Sequence, residues 1–120
     1  MNVQVIERNN LEIAVIDTGN ITLRSQESAL NLLSQVRSQT RSKHFVLFES
    51  LLSKDLYPLI NIYADEAQQM VARQGFRVAV VGSFVGLGAN TLRIFDYERN
   101  PDSAIFLAKS EEEAIERLSS

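Results

Sequence analysis

Hydrophobic positions along this chain follow two distinct spacings. Residues 45–48 and 78–81 are unbroken apolar runs, Phe-Val-Leu-Phe and Val-Ala-Val-Val. Strands without polar alternation are covered on both faces, as in a parallel or mixed sheet packed by helices. Residues 3–7 and 11–17 are β-type runs separated by Arg8-Asn9-Asn10, a hairpin signal because asparagine tolerates positive φ. The sheet is therefore expected to begin antiparallel. After Thr18-Gly19-Asn20, residues 21–23 predict a short further extended piece.

Elsewhere the apolar positions recur at three and four residues. Ser25 is placed to cap a helix in which Ala29, Leu32, Leu33 and Val36 form one apolar stripe, ending near Thr40. Asp55 is expected to cap a second helix, with Pro58 in the first turn, where its missing N–H is not needed. Leu59, Ile60, Tyr63, Ala64, Ala67, Met70 and Val71 make a broad apolar face that runs to Arg73, with Gly75 as the left-handed stop. On this pattern it is the best packed helix. A shorter helix over residues 89–99 uses Leu92 and Phe95, before a break at Asn100-Pro101-Asp102. Residues 104–107 read as the last strand, and Ser110 with Glu113 forms a capping box for a helix that turns Ala114, Ile115 and Leu118 inward. The order β-β-α-β-α-β-α-β-α predicts one α/β domain over residues 1–120, a mixed sheet of four to five strands with about four helices.

Composition narrows the setting. A chain of 120 residues that is 45% hydrophobic can bury roughly two thirds of its unfolded surface in one core. It contains no cysteine, which excludes disulfide scaffolds, thiolate metal sites and cysteine nucleophiles and is compatible with a reducing cytoplasm. The net charge is −3 and the basic residues are scattered, so the electrostatic footprint that nucleic-acid backbones require is missing. No segment is long and apolar enough to cross a bilayer, and the chain is read as cytoplasmic, with neither nucleic acid nor membrane as a partner.

Candidate chemistry centres on Gly82-x-x-x-Gly86-x-Gly88, which follows the second buried strand and leads into a helical pattern. That spacing matches the short-chain dehydrogenases, whose glycines let the backbone approach a pyrophosphate at a helix N-terminus. Too few strands follow to build the second half of a dinucleotide fold, and Glu111, the carboxylate at a suitable separation, sits in the capping box. The glycines are therefore read as a flexible turn that uses positive φ and close packing. A phosphorylated receiver domain fails on element order. Asp17, Glu49, Ser83 and Lys109 do sit at strand ends, but the hairpin comes first and Gly82 stands where the phosphoacceptor aspartate belongs.

His44, the single histidine, has no second ligand at metal-binding spacing and reads as a partly exposed residue at a strand end. Ser50 and Ser53 have no histidine base beyond it and no Gly-x-Ser-x-Gly elbow. Asp65 with Glu66, and Asp96 with Glu98, read as solvated helix surface. No catalytic residue, cofactor or metal is assigned.

The hairpin followed by alternating helices and strands resembles the STAS domain, the fold of anti-sigma-factor antagonists. The informative stretch is residues 44–82, where 45–48 resembles the central strand, 55–74 the helix after it and 77–81 the next strand. Antagonists of that family are phosphorylated on a serine at the start of this helix. Here the region reads Asp55-Leu56-Tyr57-Pro58-Leu59 and Ser53 lies earlier, so the phosphoswitch is not carried over. Over nearly its whole length the chain is similar to the bacterial domain-of-unknown-function family 4180. The similarity rests on Ser28-Ala29-Leu30, Val36-Arg37, Asp55-Leu56-Tyr57, Ala64 with Glu66, Val80-Val81-Gly82, residues 95–100 and residues 110–114. It implies a small bacterial α/β domain without assigned activity, and it supplies no catalytic residues.

Two functions follow as expectations. The first is a protein-interaction or regulatory module without catalysis, whose protein partner is unidentified. Its surface would be residues 50–58 and the facing residues 83–90, because open α/β sheets place ligands beyond their strand C-terminal ends. The candidate residues are Ser53, Asp55, Tyr57, Ser83, Gly86, Gly88 and Asn90. A homodimer through an exposed sheet edge or an apolar helix face belongs to the same expectation. The second is a small-molecule or nucleotide binder or enzyme using the same loops, with Ser83, Asn90 and Asp55 as polar groups. A closed, apolar-lined pocket between the loops favours the second; a flat or paired surface favours the first.

Overall fold

The computed structural model describes residues 2–17 and 22–120. Five strands form one sheet in chain order: β1 (Asn2–Arg8), β2 (Leu11–Asp17), β3 (His44–Phe48), β4 (Arg77–Val81) and β5 (Ile105–Ala108). β1 and β2 are antiparallel, and every later pair is parallel. The helices are α1 (Gln26–Gln39), α2 (Tyr57–Arg73), α3 (Ala89–Ile94) and α4 (Glu111–Ser119). This is the mixed α/β order that the apolar pattern predicts. The predicted turn at residues 18–20, together with Ile21, lies outside the described residues.

The hairpin closes on Asn9 and Asn10 with φ of 53° and 65°, a two-residue primed turn whose twist suits the strands it joins. From β2 onward each parallel strand is added on the same side of the last. Right-handed crossovers that march in one direction leave their helices on one face of the sheet. The core divides accordingly. Ala14, Ile16, Phe45, Leu47, Val78 and Val80 face Leu32, Leu33 and Val36 of α1 and Val71 of α2. Ile13, Val15, Val46, Ala79, Phe106 and Ala108 face the other way, where α4 returns across the sheet with Ala114, Ile115 and Leu118. This explains why the middle strands carry no polar alternation.

Caps behave as the sequence suggests at two helices. The Ser25 hydroxyl accepts from Ser28 N–H and the Ser28 hydroxyl accepts from Ser25 N–H, a reciprocal box. The Ser110 hydroxyl accepts from Glu113 N–H as expected, but the Glu113 carboxylate turns to Arg117 at 2.9 Å, so only the serine half of the expected capping box forms. At α2 the outcome differs. Asp55 caps nothing; Ser53 accepts from Asp55 N–H and starts a 3₁₀ turn over Lys54–Leu56, and α2 follows from Tyr57 with Pro58 in its first turn. Nor is α2 the best packed helix. Only Ala64 and Val71 are fully buried, and Leu59 and Tyr63 are exposed, because Tyr63 leaves helical geometry (φ −114°, ψ 28°) and divides the helix.

Two further expectations change. α3 stops at Ile94, since the Phe95 carbonyl accepts from Leu107 N–H of β5 rather than from another helical turn. It buries Thr91 and leaves Leu92 outside, with Phe95 buried just beyond it. Of the extended piece expected over residues 21–23, the described residues show one parallel bridge between Leu23 and Leu52, with Leu23 N–H donating to Leu51 and its carbonyl accepting from Ser53.

One buried polar side chain joins the hairpin to the parallel sheet. Ser42 is 1% exposed; its hydroxyl donates toward the carbonyls of Glu12 and His44 and accepts from the N–H of Ala14. Ser42→Ala leaves those groups of β2 without their partner in a dry site, and is expected to lower unfolding free energy by about 2 kcal/mol in urea titrations.

Candidate functional site

The C-terminal ends of β3 and β4 lie side by side, with Phe48 opposite Val81, so the next residues, Glu49 and Gly82, are neighbours. Glu49 crosses to the β4 side. Its Oε1 accepts from the successive N–H groups of Ser83 at 3.0 Å and Phe84 at 3.1 Å, and its Oε2 accepts from the Tyr57 hydroxyl. Gly82 makes this possible: a Cβ there would stand 2.4 Å from Oε1 and 2.5 Å from the Glu49 Cβ. Phe84 takes φ of +59° and buries its ring, turning its N–H toward the carboxylate. Converging backbone N–H groups of this kind form an anion cradle. Here the chain's own carboxylate fills it.

α2 holds the rest of the glycine loop. Gly86 has φ of +108° and lies where a Cβ would come within 3.1 Å of the Tyr57 ring. Asn61, four residues after Tyr57 and on the same helix side, accepts from Gly88 N–H at 2.8 Å and from the Thr91 hydroxyl at 2.7 Å. It therefore serves the entry to α3, whose Gly88 offers no side-chain cap. The loop expected to be a flexible turn is tied at both ends.

Of the predicted surface residues, the structure brings Tyr57, Ser83, Gly86 and Gly88 into this cluster, the last three through the backbone. Ser53 is used in the 3₁₀ turn. Asp55 and Asn90 are exposed. Glu49 and Asn61 are the residues that sequence reasoning did not assign. Their signals were a carboxylate directly after one buried strand with a glycine directly after the next, and an asparagine one helical turn beyond a tyrosine.

Beneath the cluster, between α1, α2 and the sheet, is an apolar cavity of about 130 Å³ lined by residues including Ala29, Leu33, Tyr57, Ala67 and Phe84. Tyr57 is the one predicted surface residue that lines it. No group of three metal-ligating side chains comes together, and no helix is long and apolar enough to cross a membrane, among the described residues.

A family model described as Domain of unknown function (DUF4180) matches residues 8–118. The chain belongs to this family. No curated protein matches it, and no solved structure does. The matched span of the DUF4180 domain includes the whole Glu49 cluster and every helix but the last residue of α4.

Burial pushes the Glu49 carboxyl up, but the donors that reach it, first Tyr57 and then the Phe84 and Ser83 N–H groups, prevail and hold it below its ordinary value. Burial and the Glu49 carboxylate together push the Tyr57 phenol up. Burial, with Arg77 alongside on β4, pushes His44 below its ordinary value.

Both Glu49 and His44 bind protons less readily in the folded DUF4180 domain than in the unfolded chain, so acid destabilises it in two steps. The His44 contribution fades as pH falls below about 6.5, and the Glu49 contribution is complete above about pH 4.3 and disappears as pH falls through its lower folded value. Urea titrations across this range should show both steps, and Glu49→Gln should flatten only the acidic one. Gly82→Ala is expected to cost about 2 kcal/mol, since Glu49 must leave the cradle. Adding Glu49→Ala should cost less in that background than in the wild type, a coupling that a double-mutant cycle reads directly.

Proposed function

We propose that this domain is a non-catalytic protein-interaction module of STAS-like architecture, acting in the bacterial cytoplasm, whose recognition surface is the glycine loop with the first half of α2. The supporting observation is where its exposed apolar side chains lie. Val85 at the glycine loop is 83% exposed, Ile62 67%, Leu59 47%, Tyr63 46% and Leu92 39%. Among the described residues only one other large apolar side chain is exposed, Val5 at the far side of the sheet. Apolar groups displayed on a frame tied by Glu49 and Asn61 suit contact with a protein, whose interface core favours aromatic and aliphatic side chains. The polar groups of the same region face inward to one another: the Glu49 carboxylate, the Tyr57 hydroxyl and the Asn61 amide all have partners within the chain. That suits recognition better than proton transfer.

A photo-crosslinking side chain placed at position 62 or 85 should give a discrete adduct in cells, and one at Glu116 on α4 should not. Equal labelling at all positions, or none, overturns the reading.

The cavity supports a second reading, a binder of a small apolar group. Its volume of about 130 Å³ is well below the roughly 300–1,000 Å³ of ordinary ligand pockets, enough for a few carbons. Ser83, Asn90 and Asp55, the polar groups expected for such a site, do not line it. If it is a ligand site, benzene or a short fatty acid should raise the thermal midpoint and Ala67→Val should abolish that rise. If it is only a packing void, Ala67→Val should raise the midpoint by itself and the probes should do nothing.

A further inference from the structure

The two edges of the sheet are treated differently. On β5 the carbonyls of Ala104 and Ala108 accept from β4, so Ile105 and Leu107 direct their backbone groups outward. That edge is closed. The Gln68 side chain accepts from Ile105 N–H and donates to its carbonyl, both at 2.7 Å, and Leu107 N–H donates to Phe95. β5 is also short, with four residues.

Among the described residues, β1 has none of these protections. It is a seven-residue strand paired residue for residue with β2, without a bulge, and its sequence Asn-Val-Gln-Val-Ile-Glu-Arg contains neither proline nor lysine. The primed two-residue turn makes Arg8 and Leu11 a hydrogen-bonded pair, and alternation then turns Asn2, Gln4, Ile6 and Arg8 toward β2. Val3, Val5 and Glu7 direct their N–H and C=O groups outward, and no partner among the described residues meets them. Natural sheets cover or disrupt such edges because they accept further strands.

We propose that β1 pairs antiparallel with β1 of a second copy of this chain, joining two sheets into one about a twofold axis at Val5. The outward residues are symmetric about Val5. Val5 meets Val5 of the second copy, Val3 meets its Glu7, and Glu7 meets its Val3, which closes about six backbone hydrogen bonds. Arg8 faces Asn2 of the second copy and Gln4 faces its Ile6, so no like charges oppose. Sliding the pair until Glu7 faces Glu7 leaves fewer bonds and sets two carboxylates together. The apolar Val5, 44% exposed in one chain, becomes covered by its counterpart. An interface of one strand is small, so the dimer forms and dissociates with concentration.

Light scattering and sedimentation over a wide concentration range should show masses rising from 13.5 kDa toward twice that value. Val5→Pro removes an outward N–H that no described residue of the single chain uses, so it should stay monomeric with an unchanged circular dichroism spectrum. The chain has no cysteine, so Val5→Cys offers one thiol per copy. Hydrogen-bonded strand partners stand about 5.5 Å apart at Cα, within the span a disulfide bridges, and this variant should form a covalent dimer under mild oxidation. A chain that is monomeric throughout, a dimer that survives Val5→Pro, or one lost in Ile62→Asp with Val5→Cys uncrosslinked, overturns the proposal. If Val5→Pro does not fold, the Val5→Cys result decides alone.

Discussion

The carboxylate of Glu49 is the interaction on which the functional end of this domain depends. Parallel strands bring their C-terminal ends together but leave the loops beyond them without mutual hydrogen bonds, since each loop turns toward a different helix. Glu49 closes that gap by reaching from the end of β3 to two N–H groups beyond β4 while accepting from the first residue of α2. Three elements are thereby held by one side chain. Because its partners donate to a charge, these bonds are stronger than neutral ones, although the carboxylate is only half-buried and its contact with Ser83 is open to solvent.

The same arrangement gives the glycine loop its meaning. Its spacing resembles a phosphate cradle because its physical requirements are those of a cradle: backbone N–H groups turned to one point, and a glycine where an anion must come close. The anion is internal. A phosphate would have to displace a carboxylate already bound by two N–H groups, and Gly82 is required by the Glu49 side chain rather than by a ligand. A glycine pattern read alone cannot separate these cases, since the discriminating residue lies far earlier in the chain, on another strand.

That distinction marks how far the sequence was legible. Unbroken apolar runs identified the middle strands, the Asn9-Asn10 turn identified the hairpin, and Ser25 and Ser110 marked helix starts, because each signal is local or follows directly from burial. Asp55 failed as a cap because Ser53, two residues earlier, begins a 3₁₀ turn that no periodicity reveals. Leu59 and Tyr63 failed as core residues because their spacing describes a straight helix, and α2 is not straight. Glu49 and Asn61 were hidden because their partners lie 34 and 27 residues away, in a pairing that only the register of β3 against β4 fixes.

The break at Tyr63 gives α2 two tasks that one straight helix would combine poorly. Before it, Tyr57 and Asn61 serve the glycine loop and the start of α3. After it, Ala64 and Val71 enter the core, and Gln68 closes the backbone of the edge strand β5. A continuous helix has one apolar stripe at about 3.6 residues per turn, and Leu59 and Tyr63 would share it with the core only if the first half were rolled inward. Rolling it would carry Tyr57 and Asn61 away from the carboxylate and from Gly88. The exposed apolar side chains of α2 are thus the geometric counterpart of the locked loop: the contacts that hold Glu49 and Asn61 in place are the ones that leave Leu59, Ile62 and Tyr63 facing outward.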